Sequence, residues 1–133
     1  MRNVSNGKVP NVRHSYSYFT KVGGYASLNE FQVGLAESTC VGVPTLPGNK
    51  SQAMLNIVDL CELALERASS AREAVSVMGT LADSFGYYDN AESLFVSDPT
   101  EVFIFHILPD DTGSAAVWVA QRVPDNHVAV VAN

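Results

Sequence analysis

Two cysteines, three histidines and two asparagines in marked positions are the side chains of this 133-residue sequence from which reaction chemistry could be built. A thiol becomes a nucleophile when a base takes its proton, and imidazole is the commonest base. Cys40 closes the run Glu37-Ser38-Thr39-Cys40 at a strand end. No histidine is placed near it by sequence, so it reads as structural, with a reactive thiol as the alternative. Cys61 falls on the apolar stripe of a helix and reads as a buried thiol. His106 reads as a packed mid-strand histidine, His127 as a surface residue at a strand start, and His14 stands apart from both. There is no CxxC, no Cys/His cluster and no HExxH pairing, so neither a metal nor a cofactor is expected. Asp110-Asp111 is a solvated turn and Trp118 a core residue. Asn29, in a turn, reads as an asparagine bonding its own backbone. Asn133 ends the apolar run VAVVAN, where an amide is either a strand-end cap or an aimed hydrogen-bond donor.

These residues sit on elements that the hydrophobic period makes legible. The last third reads as four strands, 92–98, 101–108, 114–122 and 127–133, rich in β-branched and aromatic residues. Asp98-Pro99-Thr100, 109–113 and Pro124-Asp125-Asn126 separate them, and such short connectors imply an antiparallel meander. Gly113 supplies positive φ to its turn. In 101–108, Val102, Ile104, His106 and Leu108 point one way and Phe103, Phe105 and Ile107 the other. Both faces are largely apolar, so the sheet needs a covering layer on each.

Upstream the period is that of helices. Residues 53–68 carry Met54, Ile57, Val58, Cys61, Ala64, Leu65 and Ala68 on one stripe; 71–85 carry Ala71, Ala74, Val75, Met78, Leu81, Ala82 and Phe85. Ser70 and Glu73 form a capping-box pattern, and Gly86 ends the second helix. Before the helices, 15–20 and 31–39 read as strands, with turns at 21–24 and Asn29-Glu30 and a proline-containing loop at 42–48. Residues 1–13 read as an irregular lead-in. The order β-β, α-α, four β gives an α+β fold. Two helices cover only one sheet face, so the other is left for a partner or for further chain.

The formal net charge is −6 with no Lys/Arg cluster, which argues against nucleic-acid or anionic-membrane binding. No apolar run reaches a membrane span. Residues 1–12 contain no apolar core of a secretory signal, and the compartment stays open.

Three stretches together resemble one family. LNEFQVGLAESTC (28–40), LALERASSAREAVSVMGTLADSFGYY (63–88) and 91–133, ending WVAQRVPDNHVAVVAN, resemble the cysteine dipeptidase and secernin group of N-terminal-nucleophile hydrolases. The resemblance runs from about Val12 to Asn133. It implies an αββα sandwich and a dipeptidase whose nucleophile is an N-terminal cysteine, with that residue's own α-amino group as base. By analogy with related penicillin V acylases and bile salt hydrolases, it implies that Asn133 and Asn29 serve the oxyanion hole or orient substrate. A related amidase activity, or a non-catalytic secernin-like binding role, is the alternative.

The sequence departs from that family at the nucleophile. The family's cysteine segment belongs before Val12, and Cys40, being internal, offers no free α-amino group. Residues 1–133 are therefore expected to be a single incomplete domain, an internal segment that is inactive alone. Its partners would be a dipeptide or short peptide and, through the bare sheet face, a second copy of itself.

Overall fold

The computed structural model describes residues 1–20, 25–40 and 48–133. Its frame is one antiparallel six-stranded sheet in the order β3-β4-β5-β6-β7-β8. The strands are β3 (Tyr18–Thr20), β4 (Ala26–Asn29), β5 (Gly34–Cys40), β6 (Ala91–Ser97), β7 (Val102–Pro109) and β8 (Ala116–Arg122). Two helices, α1 (Ile57–Arg67) and α2 (Ala71–Phe85), fall between β5 and β6 in sequence and pack on one face of the sheet. The fold is thus α+β, with one helical layer on one antiparallel sheet.

The register sorts the side chains. Phe103, Phe105 and Ile107 of β7 face the helices together with Leu94 and Val96 of β6 and Leu35 of β5, and all belong to the core. The opposite set is open. Val117 and Val119 are 55% and 59% exposed, and Phe19 and Leu28, paired with each other, are also exposed. The expected half-covered sheet is what forms. Trp118 is half-buried rather than core: it stacks on Phe105 at 5.6 Å and its indole N–H donates to Asp83 at 3.0 Å. Gly79 of α2 lets the ring approach, since a Cβ there would overlap it.

Further expectations need correction. The first helix begins at Ile57, not Ala53, because Asn56 and Asp59 form a capping box there: Asp59 N–H donates to Asn56 Oδ1 at 2.8 Å and Asn56 N–H to Asp59 Oδ2 at 3.2 Å. Leu55, just before it, is extended and bridges Tyr87.

Residues 1–13 are not all irregular. β1 (Arg2–Val4) and β2 (Gly7–Val9) form a hairpin whose Ser5-Asn6 turn precedes Gly7. Arg2 anchors it to α1 through Glu62 at 2.8 Å and Glu66 at 2.9 Å. The strands expected at 15–20 and 31–39 are Tyr18–Thr20 and Gly34–Cys40, with Ala26–Asn29 as a further strand between them.

Residues 127–133 are not a strand. They run without ladder partners, with Val128 and Val130 exposed, since an apolar period alone cannot supply the neighbouring backbone that a strand requires. His106, finally, is exposed on the open face rather than packed. The turn expected at 21–24 and most of the loop at 42–48 lie outside the described residues.

Remaining signals hold. Ser70 caps α2 by accepting from Glu73 N–H, although the Glu73 carboxylate bonds Ser69 instead of closing the box. Gly86 (φ 73°) and Gly113 (φ 69°) take the positive φ that ends α2 and turns β7 into β8. Among the described residues no helix is long and apolar enough to cross a membrane.

Candidate functional site

Asn29 stands at the end of β4 and is 2% exposed. Its Oδ1 accepts from Phe31 N–H and Val33 N–H, both at 3.0 Å, which is the turn bonding its position suggests. Its Nδ2 reaches the other way, donating to Leu65 O at 3.0 Å and Ala68 O at 2.7 Å at the end of α1. One side chain therefore ties the β4–β5 turn to carbonyls that the helix end leaves without intrahelical partners. Asn133 sits in a different setting. It is exposed at the end of the extended tail and makes no hydrogen bond to another described residue. At the start of the tail, Ile104 of β7, Gln121 of β8, His127 and Val128 line a cleft of about 150 Å³.

The strand register assembles a polar row that spacing alone does not reveal. Ser38 of β5 lies opposite Ser93 of β6, and Ser93 opposite His106 of β7, all on the open face. Ser93 Oγ is 2.7 Å from His106 Nδ1 and 3.1 Å from Cys40 Sγ. The sequence put no histidine beside Cys40; the sheet brings His106 within one hydroxyl of it. Ser93 is 2% exposed, and the buried Ser38 hydroxyl has no partner among the described residues. Cys61, by contrast, is enclosed beneath the helices, and burial, with Glu37 and Glu92 adding to it, raises its thiol far above the ordinary range. It is inert, as its place on the apolar stripe indicates.

The helix-side face of the same strands holds a second polar group. Glu37, Thr39 and Glu92 point there, and Thr39 Oγ1 donates to Glu37 Oε1 at 2.7 Å. Glu92 is 3% exposed, and one of its carboxyl oxygens has no donor among the described residues. Burial first, and then the adjoining Glu37 carboxyl, pushes Glu92 up to about 8. The same carboxyls reinforce the burial that raises Tyr25 to about 12. Beside the Glu37 carboxyl, burial therefore favours the protonated form of Glu92. Among the described residues no three His, Cys, Asp or Glu side chains are placed to hold a metal ion.

Comparison with known proteins gives this geometry a setting. Residues 3–133 match peptidase family C69. Over 74 residues the chain is 36% identical to a probable dipeptidase of Latilactobacillus sakei; that stretch is 56% of this chain and 14% of the relative, so the match spans about a seventh of the relative's length. With the family match extending along nearly every residue of the described sheet and both helices, the chain belongs to peptidase family C69.

Proposed function

We propose that these 133 residues form an internal segment of a cysteine-type dipeptidase domain that hydrolyses the peptide bond of dipeptides or short peptides. The C69 match over residues 3–133 carries this reading, and the relative described as a probable dipeptidase supports it. In it the nucleophile is an N-terminal cysteine on chain outside these residues, with that cysteine's own amino group as base. Asn133 donates to the carbonyl oxygen as negative charge develops there, for which its uncommitted amide is suited. Asn29 serves the same site from below, holding the β4–β5 turn against α1 so that β5 keeps its place. A second sheet covers the open face in the assembled αββα domain, and the exposed Val117 and Val119 favour such a layer. The test is dipeptide hydrolysis by a polypeptide carrying this segment and the cysteine. Asn133→Ala there lowers kcat by roughly 100-fold with little change in KM. An unchanged kcat removes Asn133 from the oxyanion hole.

A further inference from the structure

The N-terminal hairpin carries the sequence's one Asn-Gly step. From its setting we infer that Asn6 is a self-modification site: it deamidates when the β1–β2 hairpin lifts from α1, and its conversion keeps the hairpin from docking again. Glycine hinders this reaction least, because it has no side chain beside the attacking nitrogen. The Gly7 backbone nitrogen forms a bond to Asn6 Cγ, closing a five-membered succinimide ring. The bond from Cγ to Nδ2 breaks, and that nitrogen leaves as ammonia with the proton that Gly7 gives up. Water then opens the ring at either carbonyl and leaves an aspartyl or isoaspartyl residue at position 6. Water and hydroxide are the co-reactants, and the turn Ser5-Asn6-Gly7 is exposed to both. The hairpin is held by α1, on the helical side of the sheet, so a second sheet over the open face leaves it accessible.

The docked hairpin holds both reacting groups in place. Asn6 Nδ2 donates to Ala53 O at 2.8 Å and to Lys50 O, on the segment that leads into α1. Asn6 N–H donates to Met54 O at 3.2 Å, and Gly7 pairs with Val4 in the closing rung of the ladder. Gly7 sits so close to Met54 that a Cβ there would lie 2.7 Å from its Sδ. Cyclisation needs Asn6 Cγ to swing onto the Gly7 nitrogen, which breaks the Nδ2 bonds and the rung. The reaction therefore waits for the hairpin to open. Opening also gives up the Arg2 pairs to Glu62 and Glu66 and the bond from Ser5 N–H to Asp59 at 3.0 Å. Conversion then blocks the return. The new carboxylate accepts hydrogen bonds and cannot donate one, so it meets the Lys50 and Ala53 carbonyls with repulsion. An isoaspartyl residue also lengthens the main chain by one atom inside a two-residue turn, which disturbs the register of the rungs. Val9, at the end of β2, is buried in the core, so the released hairpin uncovers the core's edge. Asn29 and Asn133 take no part, and the reaction is independent of dipeptide hydrolysis.

The test incubates the 133-residue chain in mildly alkaline buffer, with and without urea, and maps by peptide mass where an asparagine amide has become an acid. The expected first site is Asn6, with both aspartyl and isoaspartyl products. Its rate in urea exceeds that in buffer by at least about tenfold, since docking gates it. Arg2→Ala, which loosens the hairpin without altering Asn6 or Gly7, speeds the reaction several-fold in buffer and leaves the urea rate unchanged. Gly7→Ala slows it in urea. Asn6→Asp supplies the aspartyl product directly: hydrogen exchange at the hairpin amides speeds up by at least about tenfold while Trp118 fluorescence stays native. Equal Asn6 rates in buffer and urea, earlier conversion of another asparagine in the folded chain, or unchanged exchange in Asn6→Asp overturns the proposal.

Discussion

Replacing Asn29 by alanine removes four hydrogen bonds at once, and the surroundings fix the size of the effect. The two N–H donors of Phe31 and Val33 and the two acceptors of Leu65 and Ala68 are backbone groups gathered around a side chain that is 2% exposed. Water cannot reach all four without opening the β4–α1 contact. Val33 N–H loses an acceptor in a buried position, and the Leu65 and Ala68 carbonyls lose the donor that closes the helix end. Orphaned buried groups cost roughly 1–3 kcal/mol each. Because the turn can relax and Phe31 is exposed, the sum is about 3–4 kcal/mol rather than the full product. Domains of this size have only about 5–15 kcal/mol in hand, so the urea midpoint falls steeply. Trp118 is the sole tryptophan and stacks over the core, which makes its fluorescence a direct reporter. Asn29→Asp is the sharper variant, since it keeps the acceptor and turns both donors into repulsion toward the two carbonyls. It destabilises at neutral pH by at least as much as the alanine. A loss below about 1 kcal/mol for both variants refutes the reasoning.

Three more expectations rest on separate parts of the molecule. Glu92 holds a proton at about 8 that the unfolded chain releases near 4.5, so folded stability falls as pH rises between those values, by up to about 1.4 kcal/mol per unit. Glu92→Gln removes that titration and flattens the slope in pH-dependent urea melts; an unaltered slope contradicts the raised Glu92 value. Asp98 accepts from the N–H groups of Ala71, Thr100 and Glu101, which outweigh the opposing effect of burial and lower it to about 2. Its contribution is present above the unfolded value near 3.8 and lost as pH falls toward 2; Asp98→Ala lowers stability at pH 7 by about 1–2 kcal/mol, and a neutral result removes it as a brace of α2. Val117→Thr with Val119→Thr on the open face reduces self-association in sedimentation, whereas identical sedimentation places the contact elsewhere.

The elements legible in the sequence are those whose own side chains suffice to define them. Both helices, the Ser70 cap, the Gly86 stop and three of the four final strands follow from period and turn chemistry within a few residues. The 127–133 run failed because a strand is a relation between chains of backbone, and alternation in Val128, Ala129 and Val130 describes only one side of it. The opening hairpin was not legible, because its strands are three residues each and polar residues surround its Ser5-Asn6 turn. The site divides in the same way. Asn29 could be picked out as a turn residue, yet its grip on α1 links positions 36 and 39 residues apart. Ser93 had no signal at all: only the register of β5, β6 and β7 sets it between Cys40 and His106. The Glu37–Glu92 contact is likewise a product of register, joining two carboxylates that each look like surface residues in sequence.

The central claim is that this segment contributes to a dipeptidase whose nucleophile lies on other chain, and dipeptide hydrolysis tests it most directly. The assay compares the 133-residue chain with a longer polypeptide that carries this segment behind an N-terminal cysteine, each offered a panel of unmodified dipeptides and the free amino acids quantified. The account predicts turnover by the longer polypeptide, loss of that turnover when its N-terminal cysteine is replaced by alanine, and none by the 133-residue chain. Dipeptide turnover by the 133-residue chain alone, or none by the longer polypeptide, would contradict it.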